Sequence, residues 1–396
     1  MKAPTVRALR AYVVGGGASG GSYFGRETDH WETDSHMMSP MSRYPAYRGS
    51  FRDWGADALG GVLVEIESED GAVGVATGSG AEPVCFLIER HLNRFVVGCD
   101  PRDNARIWDQ MYRSTLEYGR KGLALHAISI VDLALWDLLG KLRDEPVFKL
   151  IGGSATSPLM AYCSGPRPEL YRQLGFAGAK VFPPHGPEEG RAGLEANLAF
   201  LGDCRDKVGA GYPLMADFYM SLDVRYAIEL AEAARALDIY WFEEPLHPDD
   251  CDGYRALKAA APWARWTTGE HEYTRYGFRN LIAHRAVDVL QPDLMYVGGL
   301  TEMLRIAGLA AAHDIPIVPH GGGSFSYHFA AAQPGTPFVE YVNLSPQGDE
   351  LVPVHGELFR GEPLPEQGEI TLPEAPGWGL SVNREALQLR RPYPSD

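Results

Sequence analysis

The stretch "PLMADFYMSLDVRYAIELAEAARALDIYWFEEP", residues 213–245, decides the fold. It begins and ends with a short apolar run, and each run closes on an acidic residue, Asp217 and then Glu243. Between the two runs, apolar residues recur at the spacing of an amphipathic helix. A strand, a helix and a second strand in this order predict two parallel strands joined by a right-handed crossover.

The same unit recurs from residue 151 to residue 350. Short apolar runs alternate there with helical patterns, and the runs cover residues 158–163, 179–182, 213–218, 239–244, 266–270, 287–293, 315–320 and 338–342. Parallel strands with crossover helices form either a closed barrel or a doubly wound open sheet, and a count of eight favours the barrel. We therefore predict an α/β protein with a modified TIM (β/α) barrel.

The flanking regions follow other patterns. Residues 58–77 alternate apolar and polar side chains around "EDG", which predicts an antiparallel hairpin, and residues 103–142 then take up a helical period. Residues 1–150 are accordingly predicted to form an α+β capping domain, with substrate-covering loops at about 15–55. Residues 351–396 are rich in Pro and Gly and are too short for a domain, so we expect them to complete the capping domain by packing back on it.

Composition excludes several classes of protein. The net charge of −16 argues against a nucleic acid partner, because phosphates need a basic surface. No apolar run approaches the roughly 18 residues of a membrane helix, and the N-terminus lacks the pattern of a signal peptide. The five cysteines are scattered without a C-x-x-C pair, which favours a reduced, cytoplasmic location over a zinc ribbon or a redox pair.

The glycine cluster in "YVVGGGASGGSYF", residues 12–24, resembles two cofactor or catalytic motifs. Gly15, Gly17 and Gly20 fit the dinucleotide fingerprint, and Ser19 sits in a hydrolase-like G-x-S-x-G. Both motifs need a helix directly afterwards, and no helical stripe follows here. We instead predict that residues 15–21 belong to a mobile lid over the barrel mouth; a surface loop without that role is the alternative.

Six of the predicted strands end on a side chain that can carry chemistry. Carboxyl ends of barrel strands share one mouth, where catalytic side chains meet. These strand ends carry Asp217, Glu243, Glu270, Asp293, His320 and Glu340, each about one βα unit from the next.

Three of them, Asp217, Glu243 and Glu270, are predicted to bind Mg²⁺. A lone acid at a strand end is usually a surface residue, but three in successive βα units would repel one another unless a cation lay between them. Oxygen ligands in an open arrangement suit Mg²⁺.

His320 and Asp293, on neighbouring strands, are predicted to form a base and its orienting carboxylate. A base beside Mg²⁺ can remove the proton on the α-carbon of a chelated carboxylic acid. A hydroxyl on the β-carbon could then leave, which would make the reaction a dehydration.

The order of motifs resembles a known family. The residues D, "FEEP", "GE", "QPD" and "PHG" fall on successive strands after the cap, as in the mandelate racemase group of the enolase superfamily. The helix "SIVDLALWDLLGKLRDEPVFKLIGG" is typical of it too. The segments "GFAGAKVFPPHGP", "GEHEY", "TPFVEYVNLSP" and "PGWGLSVNR" are most similar to its acid-sugar dehydratases, in particular those acting on L-rhamnonate.

The resemblance implies roles for further residues. Glu340 would lie near the enediolate oxygens, as a protonated hydrogen-bond donor. Substrate contacts would come from His271, Lys180, His30 and Arg52. The resemblance also implies a homo-oligomer, a dimer or a larger assembly up to an octamer. In the capping loops, phenylalanine stands where those dehydratases carry a histidine (Phe24) and an arginine (Phe51), which bears on the identity of the sugar.

Two other functions stay open. A racemase or cycloisomerase needs a second base, and many racemases carry Lys-x-Lys on the second strand. Here Lys180 is present, but the second lysine position is Phe182. Another group such as His185 would have to act as the second base. A catalytically silent barrel that only binds ligands is the other alternative. The retention of all six strand-end residues argues against it.

Overall fold

A computed structural model describes residues 4–15 and 29–394. Most of the glycine cluster, including Ser19 and Phe24, lies outside the described residues, so the lid stays a prediction. Short 3₁₀ helices punctuate the chain at Pro40–Arg43, Pro45–Tyr47, Arg52–Trp54, Ala56–Ala58, Pro101–Asp103, Pro187–Glu189, Arg235–Leu237 and Gly356–Leu358.

A four-stranded antiparallel sheet organises the N-terminal part. Its strands are β1 (Val6–Gly15), β2 (Gly61–Ser68), β3 (Val73–Ser79) and, from the far end of the chain, β14 (Gln388–Arg390). The order across the sheet is β14–β1–β2–β3. The β2–β3 pair is the hairpin that the alternating pattern predicts, shifted by a few residues.

The N-terminal part also contains helices, some of which pack against this sheet. They are α1 (Trp31–Asp34), α2 (Ala81–Phe86), α3 (Asn93–Val96), α4 (Asn104–Thr115), α5 (Leu123–Arg143) and α6 (Val147–Leu150), with a π-helical segment at Leu87–Leu92. Helix α5 lies so close to β3 that a β-carbon on Gly74 would sit 2.2 Å from the carbonyl oxygen of Ala134. Contrary to the expectation from sequence, α5 is long and apolar enough to cross a membrane by length and composition alone. Of its apolar window, 83% is buried inside the protein, which accounts for that composition.

The larger part is a barrel of parallel strands. They are β4 (Leu159–Ser164), β5 (Ala179–Val181), β6 (Leu214–Asp217), β7 (Ile239–Glu243), β8 (Trp266–Thr268), β9 (Val289–Leu290) and β10 (Val339–Val342). Around them lie α7 (Pro168–Gln173), α8 (Gly190–Val208), α9 (Val224–Ala233), α10 (Cys251–Ala260), α11 (Thr274–Ala283), α12 (Gly299–Ala311) and α13 (Gly323–Ala330). Since β10 pairs with β4, the sheet curls back on itself, which confirms the α/β barrel class.

One predicted strand is reduced to a single bridge. Residues 315–320 contribute only the pairing of Ile317 with Leu290, supported by a hydrogen bond from Val318 N to Leu290 O of 2.9 Å. Pro316 and Pro319 have no amide proton, so this segment cannot donate a regular ladder of hydrogen bonds. It still runs along the barrel wall and carries the next residue, His320, to the mouth.

The C-terminal segment returns to both parts of the molecule. It contains β11 (Phe359–Arg360), β12 (Glu369–Ile370) and β13 (Ser381–Val382), besides β14. Strand β12 pairs with β4 of the barrel, while β14 pairs with β1 of the N-terminal sheet. Trp378 is fully buried, and its indole nitrogen donates to the carbonyl oxygen of Leu133 at 2.9 Å. The segment therefore fastens the sheet, helix α5 and the barrel together.

Candidate active site

Three acidic side chains meet at the mouth of the barrel. Asp217 and Glu243 are the last residues of β6 and β7, and Glu270 follows β8 by two residues. All three are buried, and one carboxylate oxygen from each lies within 4.8 Å of the others. We call these residues the carboxylate cluster.

Strand register and tight backbone turns place the cluster. The parallel pairing of β6 with β7 sets Asp217 directly beside Glu243. Beyond the strand ends, Tyr219, Met220 and Glu244 adopt left-handed backbone angles, with φ of 43°, 59° and 41°. Left-handed residues other than glycine carry strain of order 1–3 kcal/mol each and concentrate at functional sites. A hydrogen bond of 2.7 Å from Met220 N to Glu244 O ties the two turns together.

Lys180, on β5, lies among these acids. Its Nζ is 3.1 Å from Asp217 Oδ2, 2.5 Å from Glu243 Oε1 and 2.9 Å from Glu340 Oε1. Burial disfavours the charged ammonium, but the surrounding carboxylates outweigh it and raise the pKa of Lys180 well above its usual value. Lys180 therefore stays charged and neutralises only part of the negative charge around it.

The remaining charge fits a divalent cation. Burial, with the neighbouring carboxylates of Glu244 and Asp217, outweighs the opposing effect of His320 and His271 and raises the pKa of Glu270 to about 7. Mg²⁺ prefers oxygen ligands, keeps part of its water shell and binds through a few carboxylates. The donor set of the carboxylate cluster suits this ion, because it offers three buried carboxylates of which two, Asp217 and Glu270, line a cavity.

His320 lies beside the carboxylate cluster and is held by Asp293. Its Nδ1 is 2.8 Å from Asp293 Oδ2, and its Nε2 is 3.1 Å from Glu270 Oε2. Burial opposes protonation, but Glu270 and Asp293 raise the pKa of His320 well above its usual value. With Nδ1 held by a carboxylate, Nε2 is the nitrogen available to accept a proton next to the cluster.

Glu340, on β10, accepts hydrogen bonds rather than donating one. Ser164 Oγ lies 2.5 Å from its Oε1, and the amide of Gly321 donates to its Oε2 at 2.8 Å. Although burial opposes ionisation, Lys180 and His320 hold the pKa of Glu340 at about 2. The expected protonated donor is therefore an ionised acceptor in this structure.

A cavity opens above these residues. Lys180, Asp217, Glu270, Asp293, His320 and Glu340 line its floor. Its other side is formed mainly by apolar side chains of residues 31–51, which we call the apolar roof: Trp31, Met37, Met38 and Phe51. The acidic side chain of Glu32, in the same segment, also lines the cavity. The roof contacts the barrel through ring pairs, Trp31 with Phe182 at 5.5 Å and Phe51 with Tyr219 at 5.1 Å between ring centres.

Three predicted substrate-binding residues lie elsewhere. Among the described residues that line the cavity, Lys180 is present, but His271, His30 and Arg52 are not. His271 Nδ1 is 2.8 Å from Glu244 Oε2 and 3.3 Å from Glu270 Oε1. The other two belong to the cap: His30 Nε2 is 3.0 Å from Leu344 O of the barrel, and Arg52 Nε is 2.5 Å from Asp34 Oδ1. Local hydrogen bonding thus explains their positions.

His185 also lies away from the cavity, which bears on its suggested role as a second base. Its Nδ1 is 2.9 Å from Glu189 Oε2, one turn further along the chain. Among the described residues lining the cavity, the basic side chains are Lys180 and His320.

Several lining residues escaped the sequence analysis. Ser164 ends β4, so the rule applied to the other strand ends would have found it had it been applied to the first strand. Tyr219 follows Asp217 by two residues, where a loop was expected without a defined direction. Trp31 and Met37 belong to the irregular segment before β2, where no periodicity indicates which side chains turn inward.

Comparisons with known proteins agree with this arrangement. Residues 168–386 match the family model for the enolase C-terminal domain-like fold. Residues 57–152 match the N-terminal domain of mandelate racemase and muconate lactonizing enzyme.

Full-length relatives have the same domain arrangement. A protein of Saccharopolyspora erythraea named L-rhamnonate dehydratase is 47% identical over 99% of this chain and 100% of its own length. The crystal structure of a rhamnonate dehydratase from Gibberella zeae complexed with Mg is 48% identical, with a TM-score of 0.96 over 98% of this chain and 97% of that one. The 3,6-anhydro-D-galactonate cycloisomerase of Zobellia galactanivorans is more distant, with 28% identity and a TM-score of 0.77 over 97% and 99% of the two chains.

Proposed function

The chain belongs to the mandelate racemase and muconate lactonizing enzyme group of the enolase superfamily, and from this premise we propose its reaction and the roles of its residues. It is a magnesium-dependent acid-sugar dehydratase, a hydro-lyase that removes water across C2 and C3 of an aldonate such as L-rhamnonate. The product is a 2-keto-3-deoxy acid sugar. The observation that carries the proposal is the 3.1 Å approach of His320 Nε2 to Glu270, which sets a base beside the carboxylate cluster.

Each residue of the floor has a separate task in this proposal. Asp217 and Glu270 of the floor, with Glu243 beside them, would hold Mg²⁺. When bound, the ion supplies positive charge that makes the C2 proton of an adjacent carboxylic acid more acidic.

His320 removes that proton at Nε2, while Asp293 keeps Nδ1–H oriented and stabilises the imidazolium. His320 then returns the proton to the 3-hydroxyl; the C3–O bond breaks, water leaves, and the enol rearranges to the 2-keto acid. One base working on one face gives a syn elimination. Lys180 and Glu340 border the reacting carbons, and Lys180 adds positive charge near the developing negative charge.

The apolar roof supports a deoxy-sugar substrate. The C6 end of L-rhamnonate is a methyl group, which loses nothing on entering an apolar site, whereas a hydroxyl there would lose its hydrogen bonds to water. Trp31, Met37 and Phe51 form one hydrophobic cluster, with Phe182 and Val342 packed against it. We propose that C6 faces this cluster while C1 to C3 face the floor.

Racemisation on the same scaffold receives less support. It requires a proton carrier on each face of the substrate, and Lys180, the other basic residue lining the cavity among those described, is engaged by three carboxylates. Phe182 stands at the position of the second lysine and cannot transfer a proton. All six strand-end residues are present, which argues against a catalytically silent binding protein.

The remaining expectations are proposals about organisation. We propose that residues 1–150 and 351–396 form the cap and that residues 151–350 form the catalytic barrel. We also propose that the protein acts in the cytoplasm as a homo-oligomer, a dimer or a larger assembly up to an octamer, with neither nucleic acid nor a membrane as partner. Exposed apolar side chains such as Leu116, Tyr118 and Tyr276, which line adjoining surface grooves, support an interface. Sedimentation velocity measures the assembly.

A panel of aldonates tests the reaction. Each acid is incubated with the protein and MgCl₂, and 2-keto product is measured as its semicarbazone, with EDTA in a parallel sample. We expect L-rhamnonate to be converted, the rate with EDTA to fall to background, and excess MgCl₂ to restore it. Conversion of no aldonate, with EDTA making no difference, would refute the proposal. Exchange of the C2 proton in D₂O with inversion and without loss of water would point to a racemase instead.

A further inference from the structure

A second group of metal-binding side chains joins the cap to the barrel. His36, His185 and Glu189 each offer a ligand atom, and these atoms lie within 4.8 Å of one another. Among the described residues that line the active-site cavity, none of the three occurs. The dehydration proposed above makes no use of them.

The barrel holds two of these residues in place. The fully buried side chain of Asn197 brackets the backbone of His185, accepting from its amide at 3.0 Å and donating to its carbonyl oxygen at 2.7 Å. The side chains of His185 and Glu189 already meet at 2.9 Å between Nδ1 and Oε2. The backbone of His185 is thus fixed, and its ring already lies beside the carboxylate of Glu189 before any metal binds.

The cap supplies the third residue. His36 is exposed and follows α1, and its ring faces that of His185 edge-on with 5.5 Å between the ring centres. A neutral imidazole nitrogen is the form of histidine that binds a metal. The next two residues, Met37 and Met38, belong to the apolar roof.

We propose that His36, His185 and Glu189 bind a transition-metal cation of the Zn²⁺ class, which clips the roof segment to the barrel. Two imidazoles and one carboxylate are a ligand set that Zn²⁺ accepts, with water in the fourth position. Ligand atoms of a tetrahedral zinc site lie about 3.4 Å apart, so a small rotation of the exposed His36 ring closes the site.

The position of the site gives it a consequence for the cavity. His36 directly precedes the roof residues Met37 and Met38, and His185 follows the cavity residue Phe182 by three positions. A cation shared by the two segments would hold the roof against the barrel wall. Motion of residues 31–47 relative to the barrel should therefore slow when Zn²⁺ is bound, whatever the substrate of the enzyme is.

Zinc binding is measured by equilibrium dialysis of the full chain in excess MgCl₂, with a chelator buffering ZnCl₂ and the metal counted by mass spectrometry. Zn²⁺ that enters the carboxylate cluster is common to all variants and cancels in the comparison. We expect wild type to bind one more zinc ion per chain than His36→Ala. The zinc affinity of this site in His36→Ala and His185→Ala should fall more than about tenfold, because loss of a residue that only hydrogen-bonds a metal ligand already costs about 10–100-fold. His36→Cys, which restores a ligand, should bind again.

The exposed His284, which lies outside the cluster, provides the matched control. His284→Ala should bind zinc as wild type does, and Zn²⁺ should slow amide exchange in residues 36–47 of both proteins but not of His36→Ala. Equal zinc binding by wild type and His36→Ala would overturn the site. Zinc binding that depends on His36 but leaves amide exchange in residues 36–47 unchanged would overturn the clip.

Discussion

The floor and the apolar roof of the cavity are built on opposite principles. The floor brings together buried charges, with Lys180 held by three carboxylates and His320 held between Asp293 and Glu270. The roof presents Trp31, Met37 and other apolar side chains that contact the barrel through ring packing. The floor can therefore move protons and hold a cation, while the roof can only select a shape and exclude water. Reaction and selectivity should respond separately to mutation.

The largest effect is expected from removing the base on the floor. In His320→Asn the side chain can still accept a hydrogen bond but cannot take a proton at neutral pH. Since general bases contribute about 10²–10⁴-fold, kcat for L-rhamnonate should fall by about that factor while KM changes little. The semicarbazide assay measures both constants.

His313, which is not among the described residues that line the cavity, supplies the control for this variant. His313→Asn should keep wild-type activity, and both variants should unfold at the wild-type temperature. Full activity in folded His320→Asn would show that His320 is not the base.

A smaller effect is expected when the partner of the base is changed. Asp293 helps to raise the pKa of His320 against the opposing effect of burial. The base works only when neutral, so activity is lost as the pH falls through the pKa of His320. Asp293→Asn lowers that pKa, so the acid limb of the kcat/KM profile should move to lower pH while kcat drops about 10²-fold. An unmoved acid limb would show that Asp293 does not tune the base.

The smallest effect is expected on the roof. Phe51→Ala removes an apolar side chain that is 2% exposed and lines the cavity. Because one methyl group in an apolar pocket is worth about 10–200-fold, KM for L-rhamnonate should rise about tenfold, with kcat nearly unchanged. Preference over L-mannonate, which carries a hydroxyl at C6, should shrink by the same factor.

Tyr47→Ala, at an exposed residue of the same segment, is the control for the roof and should leave both constants unchanged. If kcat of Phe51→Ala fell as far as kcat of His320→Asn, the floor and the roof would not have separate roles.

The same division governs what the sequence could predict. Barrel strands repeat at a fixed spacing and their ends share one mouth, so Asp217, Glu243 and His320 could be brought together from their positions alone. Ser164 and Lys180 lie on strands subject to the same rule. The pattern of apolar residues at 315–320 predicts a regular strand. It does not show that Pro316 and Pro319 lack the amide protons that a regular strand would donate.

The roof had no such rule. Residues 29–54 contain short helical turns without a period, so sequence could not show that Trp31 and Met37 face the cavity. His30 and Arg52 were chosen for their chemistry, yet their hydrogen bonds to Leu344 and Asp34 place them elsewhere. The ionised state of Glu340 depends on Lys180, on a different strand, which a linear reading does not reveal.

The central claim is that the carboxylate cluster and His320 form one magnesium-dependent site with separable parts. Calorimetric titration with MgCl₂, paired with activity assays, tests it in wild type, Glu243→Gln and His320→Asn. We predict that wild type binds one Mg²⁺ per chain at this site, that Glu243→Gln loses both this binding and activity, and that His320→Asn loses activity alone. Wild-type Mg²⁺ affinity in folded Glu243→Gln, with activity retained, would contradict the account.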